Sequence, residues 1–102
     1  MNKKIVVIED DIDLLDMLIE TLVSHGYEVH GFTTVSKALD GISSIEPNLI
    51  LSDFCVEKSI NGLELIRTLR QKQSDIPVVV MSAFGTVPIS VNCIKMGAVD
   101  FL

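Results

Sequence analysis

Short runs of β-branched apolar residues alternate along this chain with longer segments in which apolar residues recur every three or four positions. Ile5–Ile8 and Val78–Met81 are runs of the first kind, and each has the length of a buried strand. Segment 12–23 is of the second kind and has the period of a helix that covers a sheet. This alternation is typical of βαβ units around a parallel sheet with helices on both faces. It predicts an α/β fold.

The predicted elements follow one another through all 102 residues without a linker or a repeat, which fits one domain with one core. The predicted strands are Lys4–Ile8, Glu28–Phe32, Leu49–Ser52, Val78–Met81 and Val99–Leu102. Helices are predicted from Ile12 to the His25-Gly26 stop, from the N-cap candidate Thr34 to about Ser44, after Gly62, and from Pro88 to Gly97. The core face of the first helix is predicted to consist of Ile12, Leu15, Ile19, Leu22 and Val23.

Composition excludes several classes of function. The formal net charge is −6, which argues against direct binding of nucleic acid, because phosphate backbones are held by Lys and Arg. No apolar run is long enough to span a bilayer, and no secretory signal follows the N-terminus. Cys55 and Cys93 lack the spacing of a metal site or a disulfide framework. We expect a cytoplasmic protein with two reduced thiols and no membrane contact.

Acidic side chains follow two of the predicted strands at the point where each strand ends. Glu9, Asp10 and Asp11 come directly after the first strand, Asp53 after the third, and Ser82 after the fourth. The C-terminal ends of parallel strands meet at one edge of the sheet, where ligands bind in α/β folds. The sequence therefore predicts three or four carboxylates and a hydroxyl at one edge.

A cluster of carboxylates at one edge of the sheet favours binding of a cation. Two carboxylates ~5 Å apart repel by roughly 3 kcal/mol at an effective dielectric constant of about 20, so three together either take up protons or hold a metal ion. Oxygen ligands favour a hard divalent cation, and Mg²⁺ suits them best. A metal ion there would let Asp53 meet an anionic phosphate and form an aspartyl phosphate.

The alternative is that these acids are loop-end residues or first-turn charges that favour the helix dipole. We adopt that interpretation for Asp11 and Asp13, which stand where an N-cap or a first-turn acid is expected. It is much weaker for Glu9, Asp10 and Asp53, because chance would rarely bring all three to the same sheet edge.

The chain resembles the receiver domain of bacterial two-component response regulators over residues 4–102. Four segments carry the resemblance: Ile5–Asp11, Pro47–Asp53, Val78–Ala83 and Lys95–Leu102. Each segment alone is a weak signal, whereas the four together are highly specific. The resemblance implies a flavodoxin-like, doubly wound sheet of five parallel strands in the order 2-1-3-4-5.

The resemblance also implies a role for each site residue. Asp10 would ligate Mg²⁺ directly and Glu9 through a water molecule. Asp53 would be both the phosphoacceptor and a metal ligand, and Cys55 would contribute its backbone carbonyl. Ser82 would contact the phosphoryl group, and its movement would let the aromatic side chain of Phe101 swing inward as a switch. Two alternatives stay open. Ser82 could be an ordinary hydroxyl at the end of a strand, and Phe101 could be an ordinary core residue.

Two departures from the family pattern bear on these expectations. Val56-Glu57 stands where the family usually has a Met-Pro pair, so the loop after Asp53 is expected to differ in shape. The lysine that family members carry at the end of the fifth strand would fall after Leu102. We therefore expect residues 1–102 to be a fragment of a longer regulator that stops in the fifth strand and lacks the last helix.

The function implied is that of a regulatory phosphoacceptor and not an enzyme. A sensor histidine kinase would donate the phosphoryl group, and an output domain or partner protein that regulates transcription would receive the signal. A second copy of the chain is expected as a partner if the missing last helix leaves one sheet face uncovered. Phe84, two residues after Ser82, would slow hydrolysis of the aspartyl phosphate.

Three other functions compete with this one. A receiver-like binding module that is never phosphorylated stays open because of the altered loop. An aspartyl-nucleophile phosphatase would need an acid two residues after Asp53, where Cys55 stands. A flavin mononucleotide carrier would need hydroxyls and amides for its phosphate in segment 9–11, where acids would repel it.

Overall fold

The strands and helices are those of a computed structural model that describes residues 3–53, 61–72, 74–81 and 100–101. The strands are β1 (Lys4–Ile8), β2 (Glu28–Phe32), β3 (Leu49–Asp53), β4 (Val78–Met81) and β5 (Asp100–Phe101). The helices are α1 (Ile12–Ser24), α2 (Val35–Ile45) and α3 (Asn61–Gln71). The predicted fourth helix, from Pro88 to Gly97, lies outside the described residues.

The strands of the described residues form a single parallel sheet in the order β2-β1-β3-β4-β5. This confirms the expected α/β, doubly wound fold and its strand order. The order places β1 and β3 side by side, with Ile8 paired to Ser52. The C-terminal ends of these two strands therefore lie next to each other at one edge of the sheet.

Alternate side chains of the central strands pack in two hydrophobic cores, one on each face of the sheet. Val6, Ile8, Ile50, Val78 and Val80 pack with α2 and α3 in one core. On the opposite face, Ile5 and Val7 pack under α1. Because these strands are covered on both faces, their apolar residues are continuous and do not alternate with polar ones. That continuity made the strand ends predictable.

The core face of α1 differs from the predicted one at both ends of the helix. Leu15, Leu18, Ile19 and Leu22 pack on the sheet, whereas Ile12 is 63% exposed and Val23 51% exposed. At about 100° per residue, Ile12 lies about 70° and Val23 about 90° from the centre of the face that these four leucine and isoleucine residues form. The prediction was therefore wrong for Ile12 and Val23, and it missed Leu18.

Side chains at the helix ends fix where α1 and α2 begin. The Asp11 carboxylate accepts hydrogen bonds from the backbone N–H groups of Asp13 (3.1 Å) and Leu14 (3.2 Å). The Thr34 hydroxyl accepts one from the Lys37 N–H (3.1 Å). Both are N-caps, as the sequence predicts. Among the described residues, no helix has the length and apolar character to cross a bilayer.

Candidate functional site

Three acidic side chains come together where β1 and β3 end. Glu9 and Asp10 are the two residues after β1, and Asp53 is the last residue of β3. One carboxylate oxygen from each lies within 4.8 Å of the others. The structure thus brings together the three acids that the sequence predicted to meet, from positions more than 40 residues apart in the chain.

The three carboxylates differ in their access to solvent. Glu9 is 4% exposed, while Asp10 and Asp53 are half-buried. Glu9 is fixed at both its backbone and its side chain: its N–H donates to the Phe32 carbonyl (3.0 Å), and its carboxylate accepts from the Asp11 N–H (3.1 Å). The cluster therefore has a rigid, buried member and two members that a ligand can reach.

The environment of Glu9 disfavours its negative charge. Burial raises the pKa of Glu9 from its ordinary value of 4.5 to about 7. The hydrogen bond from the Asp11 N–H opposes this increase, whereas the nearby charges of Asp53 and Asp10 add to it. A buried carboxylate with two acidic neighbours gains stability if a cation binds beside it.

Asp11, the third acid of segment 9–11, does not belong to the cluster. Its side chain caps α1, which agrees with its interpretation as an N-cap or first-turn acid. Within the described residues, Glu9, Asp10 and Asp53 are the one group of three or more potential metal ligands that lie close together.

The donor set fits a hard divalent cation. All three groups offer carboxylate oxygens that lie within 4.8 Å of one another. Oxygens on opposite sides of one Mg²⁺ ion are ~4.2 Å apart at Mg²⁺–O distances of ~2.1 Å, so small side-chain movements would bring all three into contact with one ion. Sulfur and imidazole ligands, which favour softer metals, are absent from this group of described residues. Two of the three side chains also keep solvent access, as expected for Mg²⁺, which retains several water molecules.

Several predicted site residues fall where the structure gives no side chain. Cys55, Ser82 and Phe84 lie outside the described residues. Phe101 is described for its backbone alone, which pairs with Val80 in β5. Their roles remain predictions.

One feature next to Asp53 was not predicted from the sequence. Ser52 is completely buried, and its hydroxyl donates to the backbone carbonyl of Asp53 (3.0 Å). The sequence feature that could have indicated this bond is a lone hydroxyl residue after the apolar run Leu49-Ile50-Leu51. The pattern predicts Ser52 only as the last residue of the third strand.

Comparison with known families and structures agrees with the fold. A sequence model of the response regulator receiver domain family matches residues 5–102. The signal receiver domain of a repressor protein from Vibrio parahaemolyticus superposes with a TM-score of 0.91 at 24% identity, over 100% of this chain and 78% of that one. For the receiver domain of NtrX from Brucella abortus the TM-score is 0.85 at 29% identity, over 96% and 82%.

Two curated relatives are transcriptional regulators by name. The transcriptional regulatory protein FixJ of Bradyrhizobium diazoefficiens is 35% identical over 96% of this chain and 47% of its own length. The phosphoglycerate transport system transcriptional regulatory protein PgtA of Salmonella typhimurium is 34% identical over 96% of this chain and 23% of its own length. The chain therefore spans less than half the length of these relatives.

Proposed function

The chain belongs to the response regulator receiver domain family, and from that premise we propose that it is a switch controlled by phosphorylation of Asp53 in the presence of Mg²⁺. The observation that carries the proposal is the convergence of Glu9, Asp10 and Asp53 within 4.8 Å of one another. A receiver domain is regulatory and not catalytic in the sense of turning over a substrate. Its output is a shift between conformations.

We assign the metal ligands by access and position. Asp10 and Asp53 are half-buried and would hold Mg²⁺ directly, while the buried Glu9 would act through a water molecule. The backbone carbonyl of Cys55 would complete the protein's share of the ligands. When bound, Mg²⁺ supplies positive charge that offsets both the acidic cluster and the incoming phosphoryl oxygens.

Asp53 is the best nucleophile of the three acids. Glu9 is buried and its carboxylate accepts the Asp11 N–H, so an incoming phosphoryl group could hardly reach it. Asp53 ends a rigid strand and keeps partial solvent access. Its carboxylate oxygen would attack phosphorus in line; the new O–P bond forms as the P–N bond of a phosphohistidine breaks, and the imidazole leaves.

The signal would leave the site through the two neighbouring strands. Ser82, directly after β4, would hydrogen-bond a phosphoryl oxygen, and Phe101 in β5 would change its side-chain position in response. β4 and β5 are paired, with Val80 opposite Phe101, so a movement after β4 has a short path to Phe101.

The partners follow from the proposed chemistry. A sensor histidine kinase supplies the phosphoryl group, and an output domain or partner protein reads the switch. Regulation of transcription is supported by the names of the curated relatives. A homodimer and a cytoplasmic location stay predictions from the sequence.

A mass measurement tests the proposal. The chain is incubated with acetyl phosphate and Mg²⁺, and intact mass spectrometry counts the added phosphoryl groups. We expect one group in the parent chain and in Asp40→Ala, which alters an exposed acid on α2, and none in Asp53→Ala or in EDTA. Failure of the parent to gain the group, or a gain that persists in Asp53→Ala, would contradict the proposal; the first result would favour an unphosphorylated binding module.

A further inference from the structure

Ser52 occupies a position that would ordinarily hold an apolar side chain. It pairs with Ile8 of β1 on one side and with Val80 of β4 on the other, and both neighbours are completely buried in the core. Ser52 itself is 0% exposed. Burying a hydroxyl among aliphatic groups is unfavourable unless the hydroxyl forms a hydrogen bond.

The hydroxyl donates a hydrogen bond to the backbone carbonyl of Asp53 at 3.0 Å. That carbonyl belongs to the planar peptide group that joins Asp53 to Phe54. A bond to it restrains rotation about ψ of Asp53, the torsion that orients this peptide group. The same torsion sets the direction in which the chain leaves the sheet.

We propose that Ser52 is a positioning residue for the phosphoacceptor site: its buried hydroxyl fixes the Asp53 peptide and so sets where Asp53 and the following carbonyl groups stand relative to a divalent cation. The inference rests on the proposed function and deepens it. Ser52 touches neither the cation nor the phosphoryl group in this scheme. It acts through the Asp53 backbone.

The site should be sensitive to this restraint. Mg²⁺ requires near-octahedral geometry at short distances, and misplacement of a reacting group by 1 Å can cost orders of magnitude in rate. Loss of a single buried hydrogen bond typically corresponds to roughly a three- to tenfold change in an equilibrium constant. We therefore expect Ser52→Ala to raise the Mg²⁺ dissociation constant about fivefold.

The experiment separates positioning from stability. Mg²⁺ is titrated calorimetrically into the 102-residue parent chain, Ser52→Ala, Ser52→Thr and Val78→Ala. Val78 is completely buried in the same core on the same face but lies at the opposite end of β4, so its truncation destabilises the core and spares the Asp53 carbonyl bond. Urea unfolding in EDTA measures the stability of each chain, and circular dichroism confirms that each is folded.

Positioning predicts weaker Mg²⁺ binding in Ser52→Ala than in Val78→Ala, although Val78→Ala is at least as destabilised. Ser52→Thr, which keeps the hydroxyl, should recover most of the affinity. Phosphorylation by acetyl phosphate at saturating Mg²⁺ should also be slower in Ser52→Ala alone.

Three results would overturn the inference. The first is parent-like Mg²⁺ affinity in Ser52→Ala, and the second is equal weakening in Val78→Ala. The third is a folded Ser52→Thr chain that binds no better than Ser52→Ala. A parent chain that binds no Mg²⁺ would overturn the proposed function as well, which distinguishes the two failures.

Discussion

Replacing Glu9 with glutamine should stabilise the metal-free chain at pH 8 and change it little at pH 5. Glutamine keeps an oxygen that can accept the Asp11 N–H and has nearly the same volume as glutamate. It removes the charge that burial and the two neighbouring acids disfavour. The substitution therefore isolates the electrostatic cost of an ionised Glu9.

The size of the effect follows from the pKa. The pKa of Glu9 is about 7 in the folded chain against 4.5 ordinarily, so the folded state binds more protons than the unfolded state between these values. The free energy of unfolding should then fall as pH rises through this window. The loss amounts to about 3 kcal/mol at pH 8 and less than about 1 kcal/mol at pH 5.

Urea unfolding followed by circular dichroism measures this difference. The parent chain, Glu9→Gln and the control Glu20→Gln are compared in EDTA at pH 5 and pH 8. Glu20 is an exposed residue of α1, so its substitution reports the generic effect of removing one negative charge. We expect Glu9→Gln to exceed the parent by about 3 kcal/mol at pH 8, and Glu20→Gln to differ from it by less than about 0.5 kcal/mol.

Adding Mg²⁺ should narrow the difference in stability between Glu9→Gln and the parent chain, because a bound cation stabilises the folded state of the parent by mass action and favours the ionised carboxylate. The free energy of unfolding of Glu9→Gln should increase less on adding Mg²⁺ than that of the parent chain. The reasoning would be refuted by a parent whose stability relative to Glu9→Gln is the same at both pH values.

Three further substitutions test other parts of the structure. A methyl group on Gly31 would lie 2.6 Å from the Ile19 terminal carbon; because that end of the Ile19 side chain can rotate aside, Gly31→Ala should destabilise the chain by only about 1 kcal/mol in urea unfolding, and an unchanged midpoint would show that α1 packs less closely on β2. Asp11→Ala removes the N-cap of α1 and should cost about 1 kcal/mol, whereas Asp11→Asn should cost much less; equal losses would argue against capping. Phe84→Glu should shorten the lifetime of the phosphorylated chain, measured as loss of the phosphoryl mass with time, and an unaltered decay rate would remove the shielding role predicted for Phe84.

The sequence was sufficient to predict the sheet because its central strands are buried on both faces. Val6, Ile8, Ile50 and Val80 are all completely buried, so the apolar runs mark the strands without ambiguity. Once strands and direction are known, the edge at which the acids converge follows from topology alone. That is why Glu9, Asp10 and Asp53 could be predicted as a group.

Other features depend on dimensions and orientations that periodicity does not encode. Ile12 and Val23 lie at one margin of the apolar stripe of α1, and periodicity alone does not show which part of a wide stripe faces the sheet. The depth of Glu9 relative to Asp10 depends on how the chain turns after β1 and on its bond to the Asp11 N–H. The bond from Ser52 to the Asp53 carbonyl likewise depends on a backbone torsion, and a serine at a strand end has many alternative partners.

The shared cation site is the central claim, and calorimetric titration with Mg²⁺ tests it most directly. The parent chain, Asp10→Asn, Asp53→Asn and the control Asp16→Asn, which alters an exposed acid of α1, are titrated at pH 8. We predict one Mg²⁺ per parent chain, binding weakened at least about tenfold in both site variants, and parent-like binding in Asp16→Asn. Absence of saturable binding to the parent, or equal affinity in all four chains, would contradict the claim that these carboxylates hold one ion.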